Sequence, residues 1–256
     1  MTGVMLSARG LALSFGGVHA VRDVSFDVRV GEILALIGPN GAGKTSVFNL
    51  LSRVFNPSAG QVDLQGTPLL KVERHNVIRH GLARTFQNIE LFEGASVLDN
   101  LMLGCHSISK VGLISQLLQT RSLRAVELAS RERVEEVIEF LGLAKWRRSQ
   151  VSGLPYGVRK NIELGRALVT RPKLLLLDEP ASGLNVDETE RLGTWIREIR
   201  DRLGVTVVMV EHDMSLVSRI ADSVIAMDQG SVLVRGSAQE VQTNPEVVAS
   251  YMGAPQ

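Results

Sequence analysis

Ile33-Leu34-Ala35-Leu36-Ile37 runs directly into Gly38-Pro39-Asn40-Gly41-Ala42-Gly43-Lys44-Thr45, and this junction decides the fold. Five apolar residues without alternation are the pattern of a strand buried on both faces of a parallel sheet. The eight that follow fit G-x-x-x-x-G-K-S/T, and the stretch from Ser46 to Ser52 beyond them reads as helix. Strand, glycine-rich loop and helix in that order make a phosphate cradle. The loop's backbone N–H groups wrap the phosphate and the helix start adds its positive end. A lysine reaches the outer phosphates, and a hydroxyl can ligate Mg²⁺. Lys44 and Thr45 supply the last two, and Gly38, Pro39, Asn40, Gly41, Ala42, Gly43 and Ser46 form the wall. A glycine-rich turn with no ligand is the plain alternative, and the strand and helix on either side argue against it.

Two more apolar runs of the same kind lie downstream, Leu174 to Leu177 and Val205 to Val210. Asp178 and Glu179 follow the first, and Glu211 and His212 follow the second. Ligands of open α/β sheets bind at the carboxyl ends of the strands, so three separate runs point at one site. A carboxylate at a strand end, Asp178, suits Mg²⁺; the next, Glu179, stands where a base could orient an attacking water. Attack by water is hydrolysis rather than transfer to an acceptor. No Asn-Lys-x-Asp occurs, so guanine selectivity has no visible source.

Upstream, Leu11 to Phe15 and Val24 to Val30 alternate polar and apolar residues, which predicts a small antiparallel layer beside the parallel core. Between about Asn88 and Gln150 the strand signals fade. Val134, Val137, Ile138 and Leu141 keep the i, i+3, i+4, i+7 spacing of an amphipathic helix, so this region is expected to be a helical insertion. Ser107 to Ser122 reads as a loop with a short helix.

At 256 residues the chain can bury a sizeable core, and 45% apolar with 21% charged residues is an ordinary globular composition. Lys and Arg number 28 against 27 Asp and Glu, a net charge of +1 that supplies no field for holding a polyanion, so no nucleic-acid partner is expected. Cys105, the single cysteine, is expected to be a small buried hydrophobe in a reducing compartment. Arg9, His19, Arg22 and Asp23 break every candidate signal peptide in the first thirty residues, and no apolar run approaches the ~20 residues of a membrane span. His19, His75, His80 and His106 show no metal-ligand spacing, and Trp146-Arg147-Arg148 is expected to be a solvated turn.

These motifs, in this order and over essentially the whole chain, resemble the ATP-binding subunits of ABC transporters. Gln87 in RTFQN is similar to the Q-loop, and Leu154 to Lys160 (LPYGVRK) sits where the signature motif belongs. Ser182-Gly183-Leu184-Asn185 resembles the D-loop, and His212 in EHDM the switch histidine. RTFQNIELF, the Tyr156-Gly157 form of the signature and the NPEVVASYMG ending resemble, more narrowly, the larger ATPase subunit of branched-chain amino acid importers.

The resemblance implies an α/β P-loop NTPase with a parallel core sheet, a small antiparallel β layer and an α-helical subdomain. It implies a single ATPase domain over 1–256, with 1–88 and 160–256 as the nucleotide-binding core and 89–159 as the helical subdomain carrying the signature. ATP with Mg²⁺ would lie between two subunits paired head to tail, the second being a different chain. Gly157 would open a helix to about Thr170 facing the partner's γ-phosphate. Thr45, Gln87 and Asp178 would serve the metal, while Lys44, Gln87, Glu179 and His212 would act in catalysis. Phe15 resembles the aromatic on which adenine stacks, with a packed core phenylalanine as the alternative. Two transmembrane permease subunits, docked near Asn88 to Gly104, and a periplasmic or extracellular substrate-binding protein would complete the importer at the cytoplasmic face of the inner membrane. Such a chain is expected to show weak or no ATPase activity alone. Pro155, Tyr156 and Val158 depart from the usual L-S-G-G-Q signature, and Val158 cannot make the glutamine's hydrogen bond. The other readings are the ATPase of a lipid or lipopolysaccharide exporter, a soluble ABC ATPase and a small-molecule kinase. No coiled-coil insertion or second cassette supports the soluble reading, and Glu179 disfavours the kinase.

Overall fold

The protein is described by a computed structural model covering residues 3–87, 89–106 and 121–252. Packing divides it into two units, 1–87 with 173–256, and 88–172.

In the first unit the alternating segments form a long antiparallel hairpin, β1 (Val4–Phe15) and β2 (Val18–Arg29). The decisive junction gives β3 (Ile33–Ile37), buried throughout, and helix α1 (Lys44–Leu51), which starts two residues before the expected Ser46. Next come β4 (Ala59–Leu64), β5 (Thr67–Pro68) and the short β6 (Leu82–Arg84). The first sheet runs β2-β1-β4-β5, antiparallel throughout. The core of the unit packs its apolar face with α1, whose Val47, Phe48, Leu50 and Leu51 are fully buried.

The second unit holds α2 (Val97–His106), α3 (Arg121–Phe140) and α4 (Tyr156–Leu168). Val134, Val137, Ile138 and Leu141 all turn inward, as the helical spacing requires. At Gly104 of α2 an added Cβ would lie 2.6 Å from the Arg166 carbonyl oxygen of α4, so glycine permits this close approach. A Cβ at Gly165 would lie 2.9 Å from Leu101, and Leu141 and Val137 of the neighbouring segment are nearly as near. Helix α4 therefore packs with the helices of this unit. By packing, α4 belongs to the unit 88–172. Of the Ser107–Ser122 stretch all but the last two residues lie outside the described ones, and those two open α3.

The remaining chain returns to the first unit as β7 (Leu174–Asp178), α5 (Val186–Leu203), β8 (Thr206–Val210) and α6 (Met214–Ile220). It ends with β9 (Ser223–Asp228), β10 (Ser231–Gly236), α7 (Ala238–Thr243) and α8 (Pro245–Met252). The second sheet has the order β10-β9-β3-β8-β7-β6, with only β10 antiparallel to its neighbour. Strands β3, β8 and β7 are adjacent and parallel, so the three apolar runs end side by side. No described helix is long and apolar enough to cross a membrane.

Candidate active site

Between β3 and α1 the chain turns through Gly38 at φ 147° and Gly43 at φ 95°. A Cβ at Gly38 would lie 2.1 Å from the Met227 carbonyl oxygen, and one at Gly43 would lie 2.5 Å from that of Ala20. The loop is thus threaded between β9 and β2, and only glycine fits either contact. Lys44 Nζ folds over it and donates to the carbonyls of Gly38 (2.7 Å) and Pro39 (2.9 Å). Burial lowers the Lys44 pKa below its ordinary value, partly offset by the charges of Glu179 and Asp178. Asn40, Gly41 and Thr45 are exposed, while Gly38, Pro39 and Ala42 are buried and Ser46 is half-buried.

Asp178 ends β7 with its side chain 3% exposed. Its Oδ2 accepts from Arg84 Nη2 at 2.7 Å, and its Oδ1 is buried without a hydrogen-bond partner. A buried carboxylate oxygen left without a partner is a hard oxygen ligand of the kind a divalent cation takes, so Asp178 fits a Mg²⁺ site. Glu179 then takes a left-handed conformation at φ 46°, its N–H donating to the Val210 carbonyl at 3.0 Å. A non-glycine residue in that region is strained, and the sharp turn sends the carboxylate towards the segment after β6. There Gln87 Nε2 donates to Glu179 Oε2 at 2.8 Å. The glutamine and the carboxylate, 92 residues apart in sequence, meet directly.

At the end of β8, Glu211 is fully buried. Its Oε1 accepts from Ala181 N–H at 2.7 Å, and its Oε2 from the N–H groups of His212 (3.1 Å) and Asp213 (3.4 Å). Burial raises its pKa above the usual carboxylate value, and these bonds only partly oppose the rise. One side chain therefore joins the loop after Glu179 to the loop of His212, whose own side chain is exposed. Asn185 caps α5 in a reciprocal capping box with Glu188, ending the D-loop-like stretch at a fixed position.

Phe15 is half exposed and meets Phe55 edge to face at 5.3 Å between ring centres, so it is not a core residue. Gly157 lies buried in the first turn of α4, in the other unit from the phosphate loop, behind Pro155 at the N-cap. Cys105 is buried as expected. In the Trp146–Arg148 turn, Arg147 pairs with Glu135 through Nε at 2.8 Å and through Nη2. Sequence reading missed Arg84 altogether and left Glu211 without a role. Arg84 is chemically visible only through partners far along the chain, and Glu211 through its bond to Ala181, 30 residues away.

A phosphate loop beside carboxylates at adjacent strand ends is the arrangement of a P-loop nucleotide-binding protein. The family described as ABC transporter matches residues 21–182, and the chain belongs to it. It is 40% identical over 253 residues to the high-affinity branched-chain amino acid transport ATP-binding protein LivG of Salmonella typhimurium, covering 99% of each chain. Identity to the corresponding protein BraF of Pseudomonas aeruginosa is 36%, again over 99% of each. Among solved structures, a nucleotide-free ATP-binding cassette from an ABC transporter has a TM-score of 0.87 at 26% identity, covering 98% of this chain and 100% of that one. A cassette in its ADP conformation has a TM-score of 0.85 at 25% identity with the same coverage.

Proposed function

We propose that this chain hydrolyses ATP to energise uptake of branched-chain, hydrophobic amino acids through membrane permease subunits. The observation that carries the substrate class is the 40% identity with LivG over 99% of both chains. The motifs shared by ABC ATPases at large carry the hydrolysis. The loop from Gly38 to Ser46 binds the phosphates, Lys44 neutralises the outer ones, and Phe15 offers its exposed ring to adenine. Thr45, Asp178 and Gln87 would hold Mg²⁺, which would supply charge neutralisation on the phosphates. Glu179 takes the proton of the attacking water as its oxygen bonds to the γ-phosphorus and the bond to the β–γ bridging oxygen breaks. Gln87, bonded to Glu179, keeps that carboxylate oriented and relays its state to the region after Asn88. His212 donates to the γ-phosphate as charge builds.

The site is completed by a second, different ATPase subunit paired head to tail, whose phosphate faces Gly157 and the start of α4. Two permease chains and an external substrate-binding protein complete the assembly, with this subunit peripheral at the cytoplasmic face of the inner membrane. Purification of the tagged chain from its own membranes tests the assembly. Two hydrophobic chains and a second, shorter ATPase should accompany it. Self-pairing with lipid-export partners, or no membrane partner at all, would overturn the biological role and leave the hydrolysis chemistry standing.

A further inference from the structure

Arg84 stands at the end of β6 with its side chain only 6% exposed. One guanidinium nitrogen, Nη1, donates to Asn49 Oδ1 at 2.7 Å and to Ser52 Oγ at 2.8 Å, the first on the helix that opens with Lys44 and Thr45 and the second at its C-cap. The other, Nη2, donates to Asp178 Oδ2 at 2.7 Å. The guanidinium carbon lies 5.7 Å from the Phe48 ring centre and 5.2 Å from that of Phe86, the residue before Gln87. A flat, delocalised cation can bridge two hydrogen-bonding directions while stacking on aromatic faces, which a lysine cannot do.

We infer that Arg84 is the positioning residue of the metal site, holding Asp178 by one oxygen so that the other faces the cation, and fixing that carboxylate to the helix of Thr45. The inference rests on the reading of Asp178 as the metal carboxylate. Oδ1 is the single buried side-chain oxygen of this pair left without a partner, and the arginine occupies Oδ2 alone. Without the clamp the carboxylate could rotate, and its distance from Thr45 would no longer be set by the Asn49 and Ser52 contacts. Outer partners of this kind tune metal sites because a ligand's orientation is part of its affinity. The Phe86 contact extends the clamp to the segment leading to Gln87, so helix, metal carboxylate and glutamine are registered by one side chain.

The test is equilibrium binding of a fluorescent ADP to the purified full-length chain, with Mg²⁺ and with EDTA, which needs no turnover. In the parent, Mg²⁺ should tighten binding, and Asp178→Asn should abolish that gain. Arg84→Gln should cut the gain by about tenfold while leaving affinity in EDTA within about twofold. Should Arg84→Gln fail to fold, Arg84→Lys decides. Its ammonium is a point charge on a flexible stem without the planar fork that reaches Asp178 and Asn49 from separate nitrogens, so the gain should fall at least about threefold. An equal loss in Mg²⁺ and in EDTA would reduce Arg84 to structural support, and an unchanged gain would overturn the inference. If Asp178→Asn retains the parent's gain, the metal assignment itself fails, a result distinct from failure at Arg84 alone.

Discussion

Lys44 and Glu211 show how one buried charge can serve binding and another architecture. Lys44 is held over the loop by two carbonyls that a phosphate would outbid, because a charge-assisted bond to an anion is stronger than one to a neutral oxygen. Lys44→Ala should weaken ATP binding by about 10- to 100-fold, the loss expected for a hydrogen bond to a charged group, as measured by titration with a fluorescent nucleotide. Glu211 makes a prediction of opposite character. Its folded pKa is raised by burial, so the folded state holds this proton more tightly than the unfolded chain does. Its contribution to stability is full below the unfolded-state pKa and is lost as pH rises through the raised folded value. Melting temperature followed across that window should fall more steeply for the parent than for Glu211→Gln, which has no proton to lose. Equal slopes would show that Glu211 does not titrate differently in the two states.

At the scale of elements, legibility followed how local the determining contacts are. Strand β3 and the helix after it could be read because a continuous apolar run and a glycine-rich loop announce themselves within a few residues. Leu174 to Leu177 and Val205 to Val210 became β7 and β8 for the same reason. Strand β6 was not legible, since Leu82-Ala83-Arg84 is too short to show a period and exists only by pairing with β7. Arg84 was hidden likewise, its carboxylate partner lying 94 residues away. Two predictions belong to helices. Gly104→Val should destabilise the protein by about 1–3 kcal/mol, because the new side chain meets backbone of α4 that cannot yield, and thermal unfolding reads it. Val158→Gln, restoring a hydrogen-bonding side chain near the start of α4, should raise the ATPase rate of the assembled transporter by about fivefold, the worth of one net hydrogen bond. An unchanged rate would show that the backbone around Gly157 suffices.

Across the whole molecule, the phosphate loop, the β7 carboxylates and the β8 loop share one sheet, while Gly157 belongs to a separately packed unit. The packing of α4 on α2 and α3 depends on Gly104 and Gly165, whose role is spatial and leaves no local pattern in the sequence. The most direct test of the account is uptake of radiolabelled leucine by cells lacking this chain, complemented with the parent or with Glu179→Gln. The parent should restore ATP-dependent uptake, and Glu179→Gln should reduce it by about 10²- to 10⁴-fold, the usual worth of a general base, while still binding ATP. Uptake at the parental rate with Glu179→Gln, or no leucine uptake with the parent, would contradict it.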